Sequence, residues 1–177
     1  LRTPLSITFA FVATHNHFVL DRGNKVFNRH AQIIKLPIDA TADDHLALLG
    51  LLNSSTACFW MKQVMNCKGL GGQGGGIKPE HWSRQYEFAA TQIERFPIPE
   101  NHRSLIPMAK EIDNLAVAAA ALLPDAVMRE GFHDVANRLL SARREFEITR
   151  SRMVALQEEL DWKVYSLYGL CSDTTGN

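Results

Sequence analysis

A run of glycines surrounded by cations, an amide and an aromatic ring is the part of the sequence best equipped for binding chemistry. Residues 69–76 hold six of the chain's eleven glycines. Glycine clusters where the backbone must bend freely or approach another molecule closely. Cations can bind the phosphates of a nucleic-acid backbone, amides can hydrogen-bond base edges, and aromatic rings can stack on bases. The residues of this kind around the run are Lys68, Gln73, Lys78, Trp82 and Arg84.

Two other interpretations of this run are a flexible linker, which stays open, and a nucleotide site, which the sequence disfavours. The run can be a flexible, solvated linker with Trp82 folded back on the core. Gly69, Gly71 and Gly74 also spell G-x-G-x-x-G, the dinucleotide fingerprint. That fingerprint requires a strand before it and a helix after it, whereas we expect the run to follow a helix and to precede Pro79. The sequence therefore disfavours a nucleotide site here.

A second polar group, His15-Asn16-His17, would place two imidazoles on one face if the segment is a strand. A zinc site would need two more ligands, which Cys58 or Cys67 would have to supply after folding. The alternatives are solvated polar residues at a strand end, and contacts to DNA, since Asn and His suit base edges and phosphates. The sequence predicts no metal site.

A third group, Arg22, Lys25 and Arg29, lies on or beside a predicted hairpin turn. It is either an ordinary charged turn or a phosphate anchor. In the second case each neutralised phosphate would steepen the salt dependence of binding by about one unit.

The composition is that of a globular protein, with 46% apolar and 21% charged residues among 177 and a net charge of zero. Residues 1–84 carry nine Lys or Arg against five Asp or Glu, and residues 85–177 carry ten against fourteen. The basic excess of the first part permits a polyanion partner. Three scattered cysteines fit neither a disulfide set nor a metal site and indicate a reducing, cytoplasmic location, and no apolar stretch is long enough for a membrane span.

The sequence predicts an α+β fold whose first part is a small antiparallel sheet. Residues 5–37 read as a meander of short strands. Thr41 and Asp44 resemble a capping box with Asp in place of Glu. They predict the start of an apolar helix of roughly 25 residues, which should be buried against the sheet. The glycine run follows, then an extended stretch over residues 86–96, closed by the prolines on either side of Ile98.

The second part is predicted to be an antiparallel helical hairpin. One helix covers residues 103–123, and a second begins near Asp134 and carries apolar residues at spacings of three and four up to Leu167. We expect residues 1–99 to form an α+β region, residues 100–170 a helical extension and residues 171–177 a disordered tail. The first residue is Leu1, so we expect a segment of a longer protein.

Several stretches together resemble adenine-specific DNA methyltransferases of the BREX or phage-growth-limitation type. Their order, a Leu-Leu-Asn-Ser helix, a strand and then Phe-Pro-Ile-Pro, is similar to the target recognition region of TaqI-like and type IIG enzymes. The stretches are residues 11–29, 51–60, 69–76, 86–99 and 159–170.

The resemblance implies a bacterial enzyme of phage defence or restriction-modification that methylates adenine N6 with S-adenosylmethionine. This chain contains no Asn-Pro-Pro-Tyr motif and no strand-glycine-turn cofactor site, so we expect no cofactor in this segment and no catalysis by it. The implied role is to recognise the target site, and the implied partners are double-stranded DNA, the catalytic domain of the same protein and other defence subunits. A protein-interaction module that docks through the helical seam is the alternative.

Overall fold

The computed structural model of the chain describes residues 5–23, 25–68, 84–129, 131 and 133–172. It confirms the predicted α+β class, with two small antiparallel sheets and a mainly helical second part. The first sheet contains β1 (Ser6–Ala10), β3 (Phe18–Asp21) and β4 (Ala31–Ile34) in the order β3-β1-β4.

The order of this sheet differs from the predicted meander, because β1 is the central strand and β3 and β4 do not pair. Ile7 faces Leu20 on one side and Ile34 on the other. Ile7 is fully buried, and burying the most apolar strand in the centre explains the order. Residues 22–30 consequently connect the two outer strands across β1 and do not form a tight hairpin turn.

The second sheet contains β2 (Val12–Ala13), β6 (Gln85–Glu87) and β5 (Asn66–Lys68) in the order β2-β6-β5. Phe11 joins the two sheets. Its N–H donates to the carbonyl of His30 at 2.9 Å, and its carbonyl accepts from the N–H of Phe88 at 2.7 Å.

The single long helix predicted after residue 41 is wrong, since the structure has α1 (Ala42–Leu52) and α2 (Ser55–Val64). The capping box of Thr41 with Asp44 is confirmed at the start of α1. The break has a long-range cause. The Asn53 amide accepts from the N–H of Phe18 and donates to its carbonyl, both at 2.9 Å. The Ser54 hydroxyl caps α2 by accepting from the Ala57 N–H at 3.2 Å.

The stretch predicted to be extended over residues 86–96 becomes β6 followed by a short helix, α3 (Ala90–Ile93). Phe88, Ile93 and Phe96 are buried in the core, so the turn of helix brings three apolar side chains to one side. Residues 97–99 are non-helical, as their prolines predict.

The helical part begins with a 3-10 helix (Glu100–Leu105) that continues into α4 (Ile106–Ala121). It is followed by α5 (Pro124–Arg129) and the 33-residue α6 (Val135–Leu167).

In the structure, α4 and α6 pack against each other as the predicted antiparallel hairpin. Leu160 lies near Ala109, whereas Arg152 bonds Glu111, so the residue numbers run in opposite directions along the contact. Every residue of the predicted seam is buried or half-buried, and the seam packs against α4 and α5 of the same chain. The seam residues are Val135, Leu139, Ala142, Phe146, Thr149, Met153, Leu156, Leu160, Val164 and Leu167.

The core extends from the sheets into the hairpin through α1. A Cβ placed on Gly50 would lie 3.0 Å from the Ala109 Cβ and 3.3 Å from the Leu160 Cδ1, so α1 touches α4 and α6 closely. Leu51, Leu105 and Leu160 are fully buried in one cluster. Side chains of residues 1–99 and of residues 100–170 therefore share a core. Within the described residues, no helix is long and apolar enough to cross a membrane.

Candidate nucleic-acid interface

One end of the second sheet gathers three of the candidate residues. Ala13 and Cys67 both lie opposite Tyr86 in the register, so β2 and β5 end where β6 begins. Three candidate residues therefore lie toward the same end of the sheet. His15 comes two residues after β2, Lys68 is the last residue of β5, and Arg84 comes just before β6. We call this end, with its strands and the side chains over them, the basic sheet edge.

Aromatic rings lie beside the cations of the basic sheet edge. The Nζ of Lys68 is 5.8 Å from the Phe11 ring centroid, and the Arg84 guanidinium is 5.8 Å from the centroid of Tyr86. Lys62 of α2 also lies 5.8 Å from the Tyr86 ring. Cation–π contacts of this kind hold cations over ring faces while leaving their polar ends at the surface.

The cations of this edge are only partly engaged by other groups. Lys68 donates to the Glu87 carboxylate at 3.0 Å with about half of its side chain exposed. Arg84 Nε donates to the Cys67 sulfur at 3.1 Å, and a thiol is a weak acceptor. Exposed ion pairs such as Lys68–Glu87 contribute little and can be exchanged for another anion.

The two histidines of the group His15-Asn16-His17 lie at the surface beside this edge. His15 and His17 are exposed, their ring centroids are 6.3 Å apart, and a His15 nitrogen lies 2.9 Å from the Thr14 hydroxyl. Among the residues that the structure describes, no three His, Cys, Asp or Glu side chains group as metal ligands.

Asn16, between these histidines, faces the protein interior. It is 9% exposed, and its amide donates to the carbonyls of Leu52 at 2.7 Å and Ser54 at 3.2 Å. It thus donates to two carbonyls at the α1–α2 break and belongs to the core.

The charged connection between β3 and β4 is divided between the two ends of the first sheet. Arg29 lies beside His30, whose carbonyl bonds Phe11, and so is near the basic sheet edge. Arg22 follows Asp21, which pairs with Ser6 at the opposite end of β1. The two ends of β1 are about 13 Å apart by strand rise.

Arg22 and Lys25 both have carboxylate neighbours. Arg22 forms an ion pair with Asp113 of α4, and Lys25 Nζ lies 3.8 Å from the Asp21 carboxylate. The six candidates His15, Lys68, Arg84, Arg29, Arg22 and Lys25 therefore do not form one cluster.

The remaining candidates Gln73, Lys78 and Trp82 lie outside the described residues, as does the glycine run 69–76. The strands on either side of this segment are antiparallel neighbours, with Lys68 opposite Gln85. Contrary to the sequence prediction, the run follows a strand, β5, and it links two strands of one sheet.

Sequence analysis missed Lys62, Tyr86 and Phe11. The signal for Tyr86 was present, because Arg84 and Tyr86 are two apart and so lie on one face of a strand. Lys62 and Phe11 reach the site only through the packing of α2 and the link between the sheets, which no local pattern encodes.

These features define an α+β segment with a basic, aromatic sheet edge braced by a helical hairpin. Its sequence is similar to a segment of a known adenine-specific methyltransferase, and the resemblance expected from the sequence is thereby confirmed. The relative is the adenine-specific methyltransferase PglX of Streptomyces coelicolor, 48% identical over 171 residues. The match covers 95% of this chain and 14% of the relative. No protein-family model and no solved structure matches the chain.

Proposed function

We infer that this chain is the target recognition segment of an N6-adenine DNA methyltransferase of bacterial phage defence. The observation that carries the proposal is the basic sheet edge, where Lys68, Arg84 and Lys62 lie against aromatic rings, in a chain similar to part of an adenine-specific methyltransferase. Phosphate contacts by cations position a protein on the duplex, and nearby amides and rings read bases.

The catalytic domain of the same protein is the proposed partner for the chain, and S-adenosylmethionine would be held there. The G-x-G-x-x-G spelling in residues 69–76 does not fit a cofactor turn, because β5 and β6 on either side of it are antiparallel neighbours, whereas such a turn belongs to a βαβ unit with parallel strands. In the parent enzyme the target adenine must leave the base stack at a cost of a few kcal/mol, and contacts from a recognition segment would offset that cost.

The alternative role, docking through the helical seam, has less support. The seam packs against α4 and α5 of the same chain, so it is not a free surface of this molecule.

The experiment is duplex binding measured by fluorescence anisotropy at several salt concentrations. Lys68→Ala and Arg84→Ala should each weaken binding and reduce the slope of log K against log salt by about one unit, because one phosphate contact is lost. Arg150→Ala is the control, since Arg150 is exposed on α6, where it lies 3.8 Å from Glu147. Absence of duplex binding by the chain, or slopes equal to that of the control, would refute the proposal.

A further inference from the structure

Helix α2 has one buried face and one exposed face with an unusual composition. Ala57 and Met61 are fully buried against the core. Phe59 and Gln63, four residues apart, lie on the opposite face. Phe59 is 69% exposed, and Gln63 is exposed beyond it. The helix therefore presents an aromatic ring and an amide side by side to solvent.

Among the residues that the structure describes, neither α2 nor β5 carries a carboxylate. Between Asp44 and Glu80 the sequence contains no Asp or Glu, so α2 and β5 carry Lys62 and Lys68 without acidic residues of their own. Glu87 pairs with Lys68, and Asp161 accepts from the N–H of Ser55 at the start of α2. The exposed face between them suits a polyanion.

The exposed face of α2 is continuous with the basic sheet edge. Lys62, one residue before Gln63, lies over the Tyr86 ring, and Arg84 lies over the same ring. Asn66 and Lys68 alternate with Cys67, which faces Tyr86, so their side chains lie on the other face of the second sheet.

This arrangement matches the chemistry of A·T base pairs in the major groove. An Asn or Gln amide bonds the N6 and N7 of adenine in bidentate fashion, and an aromatic ring contacts the thymine methyl group. The major groove, about 12 Å wide, admits a single helix.

Resting on the proposed function, we propose that α2 is the reading element. Gln63 bonds adenine, and Phe59 contacts a neighbouring thymine methyl. Lys62 and Arg84, which lie over the same Tyr86 ring, hold the phosphates beside the helix.

The experiment enriches a random-sequence duplex library on the chain and compares the wild type with Gln63→Ala and Phe59→Ala. The wild type should enrich a motif with at least one A·T position. Gln63→Ala should relax the preference at one position by roughly 5- to 150-fold, the discrimination of one bidentate base contact. The salt dependence of its binding should stay at the wild-type value, since Gln63 carries no charge.

Ile148→Ala is the matched control for Phe59→Ala, because Ile148 is 71% exposed on α6, away from α2. Its enriched motif should equal that of the wild type. A motif unchanged in both α2 variants, or duplex binding that enriches no motif, would overturn the assignment of α2 and leave the proposed function standing. Absence of binding to any duplex would overturn both. Should Phe59→Ala unfold, as thermal unfolding would reveal, Gln63→Ala alone decides.

Discussion

At the scale of single residues, burial separates side chains that hold the fold from those that are free to bind. Asn16, His15 and His17 are consecutive polar residues, yet only Asn16 is turned inward. Its amide donates to the Leu52 carbonyl at the end of α1, where the helix itself leaves carbonyls without partners. It also donates to the Ser54 carbonyl, which accepts from the N–H of Cys58 as well.

Asn16→Ala should therefore lower the free energy of unfolding by about 1–3 kcal/mol, because the Leu52 carbonyl loses a buried donor. Urea unfolding monitored by tryptophan fluorescence measures this change. His17→Ala is the control and should stay within about 0.5 kcal/mol of the wild type, since His17 is exposed. Equal stability of the two variants would contradict the role of Asn16 in the core.

Tyr168 gives a prediction about pH. Burial raises the pKa of Tyr168 to about 12 from the ordinary value of 10, and its hydroxyl donates to the Pro97 carbonyl at 2.5 Å. The neutral phenol is therefore favoured by folding. The stability that the buried neutral phenol contributes is complete below pH 10, which is the pKa of Tyr168 in the unfolded chain. It is lost as the pH rises through 12, the pKa in the folded chain.

Between pH 10 and 12 the wild type should lose more stability than Tyr168→Phe, which has no proton to release at this position. Chemical unfolding at a series of alkaline pH values compares the two proteins. Parallel loss of stability in both would mean that Tyr168 does not titrate with a raised pKa.

At the scale of elements, local sequence patterns predicted the helix features that neighbouring residues encode. The capping box of Thr41 and the seam of α6 are encoded by neighbouring residues, and both are confirmed. The break after α1 and the central position of β1 were missed. Both depend on partners far away in sequence, such as Asn53 with Phe18, 35 residues apart.

Ser54 is the residue that begins α2, and its removal tests the break. Its hydroxyl accepts from the Ala57 N–H and donates to the Leu51 carbonyl, and it is fully buried. Ser54→Ala should cost about 0.5–2 kcal/mol of stability, the usual range for losing an N-cap. Thermal or urea unfolding gives the value, and Ser151→Ala on the exposed side of α6 should leave it nearly unchanged.

At the scale of the whole molecule, the sheet register decides which candidate residues can act together. It brings His15, Lys68 and Arg84 to one edge, leaves Arg29 nearby, and separates Arg22 and Lys25 from them. Sequence spacing does not contain this information, because the three segments at the edge are distant along the chain. The residue types were predictable, and their grouping required the fold.

The hairpin gives this edge a fixed support. Asp161 and Tyr165 of α6 reach Ser55 at the start of α2, at 2.9 Å and 2.8 Å. The proposed reading helix is thus anchored to α6, the longest of the described helices, as the proposed recognition role requires.

The central claim, that this chain chooses the methylated site, is tested most directly by exchanging the segment in the full-length Streptomyces coelicolor methyltransferase. The relative's matched segment is replaced by this chain, and N6-methyladenine is mapped in the genome of a host that expresses the hybrid. The account predicts a methylated sequence different from that of the unaltered relative. Methylation of the relative's original sequence by the hybrid would contradict it.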